Sequence, residues 1–255
     1  MLLAIDIGNT NITIGAFDGD QLTATFRLTT DTGRMPDEYA LAVAQLLPLK
    51  GVSASSVDAV ALCSVVPPLT PSFIELCKSY FNVAPLEVGA GTRTGIRIDY
   101  DSPRDVGADR IVAAAAALSL YGGPAVVVDI GTATVFDAVT ADGDYLGGAI
   151  APGIQIAADS LFHTTAQLRR VELAPPPAAI GKNTVHALQS GLVFGYAELV
   201  KGMVARFDRE LGGGSKVIAT GGYASIISAE VDIFDAVDPD LTLIGLRLIH
   251  SMNTG

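Results

Sequence analysis

"LLAIDIGNTNITIGAFDGDQL" occupies residues 2–22, and a similar stretch, "AVVVDIGTATVFDAVTADGDYL", occupies residues 125–146. Each begins with a short apolar run that ends in Asp-Ile-Gly, which is typical of a buried strand meeting a loop. Each then alternates apolar and polar residues and reaches an Asp-Gly pair, a strong signal for a β-hairpin. Both stretches therefore predict a strand, a tight turn, a second strand, a hairpin and a third strand.

The two stretches align as copies of one unit. The alignment places Asp6 opposite Asp129, and residues 9 and 10 (Asn-Thr) opposite residues 132 and 133 (Thr-Ala). The second copy has one additional residue before its Asp-Gly pair. Self-similarity at this long period predicts two copies of one domain and not a solenoid. We expect domains of residues 1–117 and 118–255.

Composition favours a compact α/β enzyme that stays in the cytoplasm. The chain has 255 residues, 49% of them apolar, and a net charge of −11 without any basic run, which argues against nucleic-acid binding. Cys63 and Cys77 are too few for a disulfide framework and are expected as small buried hydrophobes in a reducing compartment. The uncharged run at 111–128 is broken by Gly-Gly-Pro at 122–124, so no membrane span is expected. The first residues lack a basic leader pattern.

The turn after Asp6 has the properties of a phosphate-binding loop. Backbone N–H groups and the polar side chains of Asn9, Thr10, Asn11 and Thr13 come together there without bulk or negative charge. It is not a P-loop, which needs GxxxxGK[ST] before a helix. Asp6 can orient Mg²⁺ or its waters. A purely structural Asx-type turn is the alternative, and the second copy with its own Asp favours phosphate binding.

Three motifs together resemble type III pantothenate kinase: "DIGNTN" at 6–11, "GADR" at 107–110 and "DIGTATVFD" at 129–137. That family belongs to the superfamily that contains acetate and sugar kinases, Hsp70 and actin. The first motif alone indicates only the superfamily, whereas "GADR" between the two copies of so short a chain makes the resemblance specific. The resemblance covers essentially the whole chain. It implies an α/β fold of two duplicated ribonuclease H-like (actin-like ATPase) domains around an interdomain cleft.

The resemblance also implies roles for individual residues. The ATP-binding loop would be Asp6, Ile7, Gly8, Asn9, Thr10, Asn11, Ile12 and Thr13, with Thr132 as a further ATP contact. The pantothenate contacts would be Tyr100, Gly107, Ala108, Asp109, Arg110 and Thr184, with Asp109 as the catalytic base. Asp129 would bind a monovalent cation, K⁺ or NH₄⁺. The family works as a homodimer, with the pantothenate pocket near the subunit interface.

The implied reaction is the ATP-dependent phosphorylation of pantothenate to 4′-phosphopantothenate, the first step of coenzyme A biosynthesis. Such a transfer needs the substrate hydroxyl placed in line with the γ-phosphate. Asp109 can accept the hydroxyl proton, and its place in a predicted first helical turn favours the ionised form. Arg110 can pair with the substrate carboxylate or with phosphoryl charge. The structural alternative is a solvated Asp-Arg pair, and Asp105 is a rival base that fits better as the N-cap.

Two alternative functions stay open at this point. One is another small-molecule kinase of the same superfamily, although the short chain without large insertions argues against many of these. The other is a non-catalytic regulatory relative, a transcription accessory factor. Replacement of Asp6, Asp109 or Asp129 would favour the regulatory alternative, and all three are present.

Other residues are expected to be structural. His163, His186 and His250 are scattered without ligand spacing, so no zinc site is expected. Gly221 and Gly222, after the apolar run "VIAT", either let the nucleotide approach closely or only end a strand. The sequence favours neither of these two interpretations.

Overall fold

The structure is a computed structural model that describes residues 1–165 and 168–254. Its contacts divide the chain into two compact units. The first unit contains Met1–Arg97, Asp101–Ala116 and the stretch from Leu241 onward, and the second contains Ile98–Tyr100 and Ala117–Asp240. These bounds differ from the expected 1–117 and 118–255 because the last helix belongs to the first unit and a three-residue segment belongs to the second.

The first unit is built on a five-stranded sheet. Its strands are β1 (Leu2–Ile7), β2 (Asn11–Asp18), β3 (Gln21–Thr29), β4 (Ala59–Ser64) and β5 (Leu86–Glu87). Its helices are α1 (Pro36–Leu49), α2 (Thr70–Tyr80), the first part of α3 (Ala108–Tyr121) and α8 (Leu241–Thr254), with 3-10 turns at Ala54–Ser56 and Pro103–Asp105.

The second unit is built on a six-stranded sheet. Its strands are β6 (Arg97–Ile98), whose first residue is counted with the other unit, β7 (Ala125–Ile130), β8 (Ala133–Val139), β9 (Asp144–Pro152), β10 (Lys216–Thr220) and β11 (Ala236–Val237). Its helices are the end of α3, α4 (Ile154–Thr164), α5 (Thr184–Gln189), α6 (Gly195–Glu210) and α7 (Ala224–Ser228). A π-helical turn, Ser190–Phe194, joins α5 to α6.

Both sheets repeat one topology. The strand orders are β3-β2-β1-β4-β5 and β9-β8-β7-β10-β11, with β6 added beside β9. In each sheet the first three strands are antiparallel, and the last two run parallel to the first. Each also has an irregular register between its second and third strands, at Ala16/Phe17 and at Ala138/Val139. The duplication inferred from the sequence is therefore present in the fold.

The tight turns of the two copies differ in length. In the first copy the Gly8 N–H donates to the Asn11 carbonyl at 3.0 Å, across two residues. In the second copy the Gly131 N–H donates to the Ala133 carbonyl at 2.9 Å, across Thr132 alone. The alignment of residues 9 and 10 with residues 132 and 133 is therefore wrong, because the second turn is one residue shorter. The first copy has the longer polar turn.

The sheet of the first unit is covered on both faces. Leu3, Ile5 and Ile7 alternate along β1 toward one face, where they pack in a cluster with residues of α1 and α2. The residues between them face the other way, and Ala4 packs there in a cluster with residues of α3 and α8. Because side chains alternate along a strand, Asp6 lies on this second face.

Candidate active site

Asp6 is placed by the pairing of two parallel strands. β1 and β4 pair with Asp6 opposite Cys63, and the fully buried Cys63 Sγ–H donates to Asp6 Oδ1 at 3.4 Å. The carboxylate sits at the end of β1, where it is partly exposed. The buried thiol thus fixes the orientation of one oxygen of the Asp6 carboxylate.

Two carboxylates affect the pKa of the Cys63 thiol. Burial raises the pKa of Cys63 well above its ordinary value, and the negative charges of Asp6 and Asp109 raise it further. Both predicted functional carboxylates of the first unit are thus among the charges that raise this pKa. The sequence identified Cys63 only as a buried hydrophobe; its burial is confirmed, but its contact depends on strand register that one sequence does not reveal.

Asp109 lies in the first turn of α3, as predicted, but its environment differs from the expectation. Burial raises the pKa of this carboxyl, and the Arg110 backbone N–H at 2.8 Å and the Arg110 charge lower it only in part. Burial thus overcomes the helix-start effect that was expected to favour ionisation. Gly107 permits this packing, since a Cβ there would lie 2.4 Å from Asp109 Oδ1. Asp105 ends an exposed 3-10 turn, and Gly107 is the residue directly before α3. Contrary to the expectation from the sequence, Asp105 is therefore not the N-cap of α3.

The predicted ATP-binding loop divides into buried and exposed positions. Asn9, Thr10 and Asn11 are exposed at its tip. The side chains of Ile7 and Ile12 are fully buried in the core. Those two residues can contribute only their backbone atoms to a ligand, whereas the exposed three can contribute side chains as well.

Asp129 lies at the end of β7 in the second unit, in a cradle closed by a glycine. Gly221 has φ of +93°, and a Cβ there would lie 2.3 Å from Asp129 Oδ1 and 2.7 Å from the Ile130 carbonyl oxygen. A Cβ on the neighbouring Gly222 would meet nothing within 4 Å. Gly221 therefore leaves room for the Asp129 carboxylate, a role that neither interpretation of the sequence had named. Thr132 is exposed at the tip of the adjacent turn.

Tyr100 rests on the edge of the sheet in the second unit. Its ring lies 6.5 Å from the Tyr145 ring, and the Asp99 N–H donates to the Tyr145 carbonyl at 2.9 Å. Gly147, with φ of +113°, leaves room for the ring, since a Cβ there would come within 2.8 Å of Tyr100 Cε2. Thr184 is exposed at the start of α5.

Metal ligands are sparse in the part of the chain that the structure describes. No group of three or more His, Cys, Asp or Glu side chains there is arranged to hold a metal ion. Mg²⁺ commonly binds through one or two carboxylates together with substrate phosphates and waters. Asp6 meets that requirement. Asp129 Oδ1 and the Ile130 carbonyl oxygen both lie close to Gly221 and could serve as oxygen ligands for a cation.

None of the helices among the described residues is both long enough and apolar enough to span a bilayer.

Comparison with known proteins gives a consistent result across the chain. Residues 2–206 match the family model of type III pantothenate kinase. A type III pantothenate kinase of Roseiflexus sp. (strain RS-1) is 53% identical over 253 residues, covering 99% of each chain. One of Moorella thermoacetica is 50% identical over 254 residues, covering 100% of each chain.

Solved structures with low identity share the fold. An inorganic polyphosphate/ATP-glucomannokinase from Arthrobacter sp. strain KM has a TM-score of 0.52 at 15% identity, covering 99% of this chain and 98% of that one. A ROK hexokinase from Thermus thermophilus has a TM-score of 0.51 at 13% identity, covering 100% and 99%. With the duplicated sheets, these neighbours confirm the expected α/β fold of two ribonuclease H-like (actin-like ATPase) domains. The chain belongs to the type III pantothenate kinase family.

Proposed function

We propose that this enzyme transfers the γ-phosphoryl group of ATP to the primary hydroxyl of pantothenate, giving 4′-phosphopantothenate for coenzyme A synthesis. The observation that carries the proposal is the placement of two carboxylates in the first unit: Asp6 ends β1 and accepts a hydrogen bond from the buried Cys63 thiol at 3.4 Å, and Asp109 lies half-buried in the first turn of α3. One carboxylate adjoins the phosphate loop, and the other stands where the family has its base.

Asp109 serves as the general base. Its task is to accept the hydroxyl proton while the substrate oxygen attacks the γ-phosphorus. Burial raises the pKa of Asp109, which increases its affinity for that proton. Arg110, the next residue, pairs with the pantothenate carboxylate or with phosphoryl charge. Gly107 and Ala108 complete the substrate motif, with Tyr100 and Thr184 lining the pantothenate pocket.

The loop from Asp6 to Thr13 holds the ATP phosphates, and Thr132 contacts the nucleotide from its own turn. Exposed donors at Asn9, Thr10 and Asn11 suit phosphate oxygens. Asp6 would hold Mg²⁺, directly or through water, and the ion would neutralise charge on the phosphates.

Asp129 would hold a monovalent cation, K⁺ or NH₄⁺. Carboxylate and carbonyl oxygens are ligands for such ions, and Gly221 keeps the space beside the Asp129 and Ile130 oxygens free of a side chain. The cation would fix the end of β7 close to the Thr132 turn.

The enzyme would act as a homodimer through the second unit. A groove of about 560 Å³ beside α4, α5 and the π-helical turn is lined largely by apolar residues. Ile156 is 48% exposed there, and Val185, next to Thr184, is 46% exposed. Covering this surface with a second copy would bury it and bring a partner near Thr184. A cytoplasmic location without nucleic-acid or membrane partners stays a prediction from charge and composition.

The decisive experiment measures the phosphorylated product by mass spectrometry, with ATP and Mg²⁺, in the presence and absence of pantothenate. We expect 4′-phosphopantothenate in step with ADP. Turnover of ATP with another small alcohol and indifference to pantothenate would overturn the proposal. Equal rates in K⁺ and Na⁺ buffers would remove the cation role of Asp129, and a monomer at assay concentration by sedimentation would remove the dimer.

A further inference from the structure

Thr30, the residue directly after β3, is tied to the predicted phosphate loop at two points. Its backbone N–H donates to the Thr10 carbonyl at 3.1 Å. Its hydroxyl donates to the Gly8 carbonyl at 2.6 Å, in a partly buried position. One residue from outside the loop therefore holds the two carbonyls on either side of Asn9.

These two bonds set the direction of two loop amides. In a trans peptide the C=O and the following N–H point in opposite directions. Because the Gly8 carbonyl is turned toward Thr30, the Asn9 N–H is turned away from it. The same holds for the Thr10 carbonyl and the Asn11 N–H. Thr30 thus directs two backbone donors to the side of the turn opposite itself, before any ligand arrives.

Thr30 is itself fixed by a core residue. The fully buried Tyr39 of α1 accepts a hydrogen bond from the Asp31 N–H at 2.9 Å through its hydroxyl oxygen. The same hydroxyl donates to the Asp31 carbonyl at 2.9 Å. The residue after Thr30 is therefore anchored to a helix, and β3 anchors the residue before it. A side chain held in this way has little freedom to swing off the loop.

We propose that Thr30 is a positioning residue for ATP: it does not touch the nucleotide but aims the Asn9 and Asn11 N–H groups at phosphate oxygens. Donors that are oriented in advance need no reorganisation when the phosphate binds. The proposal rests on the proposed function, since it assumes that this loop binds ATP. It adds a residue outside the loop to those that the family resemblance implies.

The test compares Thr30→Val, Thr30→Ser and Thr23→Val. Val removes the hydroxyl but keeps the branched shape and the backbone N–H, and Ser restores the hydroxyl. Thr23 is a matched control, because it lies on β3 and its hydroxyl donates to the Ala16 carbonyl at 2.9 Å, away from the phosphate loop. For each variant we would measure kcat/KM for ATP, KM for pantothenate, the inhibition constant of adenosine and the thermal midpoint.

We expect Thr30→Val to lower kcat/KM for ATP about twofold to twelvefold, the scale of one intramolecular hydrogen bond. Adenosine, which has no phosphate, should inhibit as before, and KM for pantothenate should stay within about twofold. Thr30→Ser should return to near the parent value, and Thr23→Val should not differ from the parent in ATP kinetics. If Thr30→Val is unstable, Thr30→Ala removes the same hydroxyl and is judged by the same comparison of ATP with adenosine.

Equal behaviour of Thr30→Val and Thr23→Val in an active parent enzyme would overturn the role of Thr30 alone. The same holds if adenosine and ATP weaken together, or if Ser fails to rescue the Val variant. A parent protein that neither binds ATP nor phosphorylates pantothenate would overturn the proposed function, and the role of Thr30 with it.

Discussion

Replacing Gly221 by Ala should disable the cradle around Asp129. The added Cβ would stand 2.3 Å from Asp129 Oδ1 and 2.7 Å from the Ile130 carbonyl oxygen, so the carboxylate would have to retreat by about 1 Å to reach an ordinary contact distance. Ala at φ of +93° costs about 1–2 kcal/mol, and overpacking adds about 1–3 kcal/mol. A loss of this size lowers the midpoint of thermal unfolding by roughly 5–15 °C. If Asp129 holds the monovalent cation as proposed, a displacement of about 1 Å, which can cost a factor of about 10² in rate, should nearly abolish the stimulation of the rate by K⁺.

The assay pairs calorimetry with product formation across a K⁺ titration, and Gly222→Ala is the control. A Cβ on Gly222 meets nothing within 4 Å, so its unfolding midpoint and K⁺ response should match the parent. A Gly221→Ala protein with parental stability would refute the steric reasoning. A destabilised Gly221→Ala protein that still responds normally to K⁺ would refute the cation site while leaving the packing intact.

Three further predictions concern the first unit. Asp109→Asn should lower kcat by a factor of about 10²–10⁴ with an unchanged circular dichroism spectrum. The control Asp105→Asn, in an exposed turn, should stay near the parent rate. A near-parental rate for Asp109→Asn would exclude Asp109 as the base. Because burial raises the pKa of Asp109 in the folded state, the stability that its protonated form contributes is present at low pH and is lost as pH rises through the folded pKa. Asp109→Asn should therefore raise the thermal midpoint at neutral pH, and a lower midpoint would contradict this sign. Burial raises the pKa of Cys77 to about 12 and raises the pKa of Cys63 well above its ordinary value, so neither thiol should react with iodoacetamide until urea unfolds the protein. Rapid labelling of the native enzyme would contradict their burial.

Local pattern was enough to predict the repeated strands and a helix with Asp109 in its first turn. The apolar runs before Asp6 and Asp129 do form the first strand of each sheet, and both hairpins form at their Asp-Gly pairs. Those features depend on residues that are neighbours in sequence, so a single sequence contains the information. The family motifs then assigned roles to residues within these segments.

What the sequence missed depends on contacts between distant segments. The register of β1 against β4 brings Cys63 next to Asp6, 57 positions away in the chain. No local sequence pattern predicts this contact. The tie between Thr30 and Gly8 spans 22 positions. The length of each tight turn was also not predicted, because a sequence alignment cannot show which residues pair across the strands. The pKa of Asp109 depends on tertiary burial, which outweighs its place on the helix.

The position of α8 has a consequence for how the chain is made. This helix packs on β1, β2 and β4 of the first unit, and Leu243, Leu246 and Ile249 share a cluster with Ala4 and Cys63. During synthesis the strands of the first unit leave the ribosome early, but one face of their sheet, on which α3 also packs, stays only partly covered until residues 241–254 emerge. The first unit therefore cannot complete its packing until the last helix has been synthesised. A nascent chain stalled before Leu241 would expose that apolar surface to chaperones.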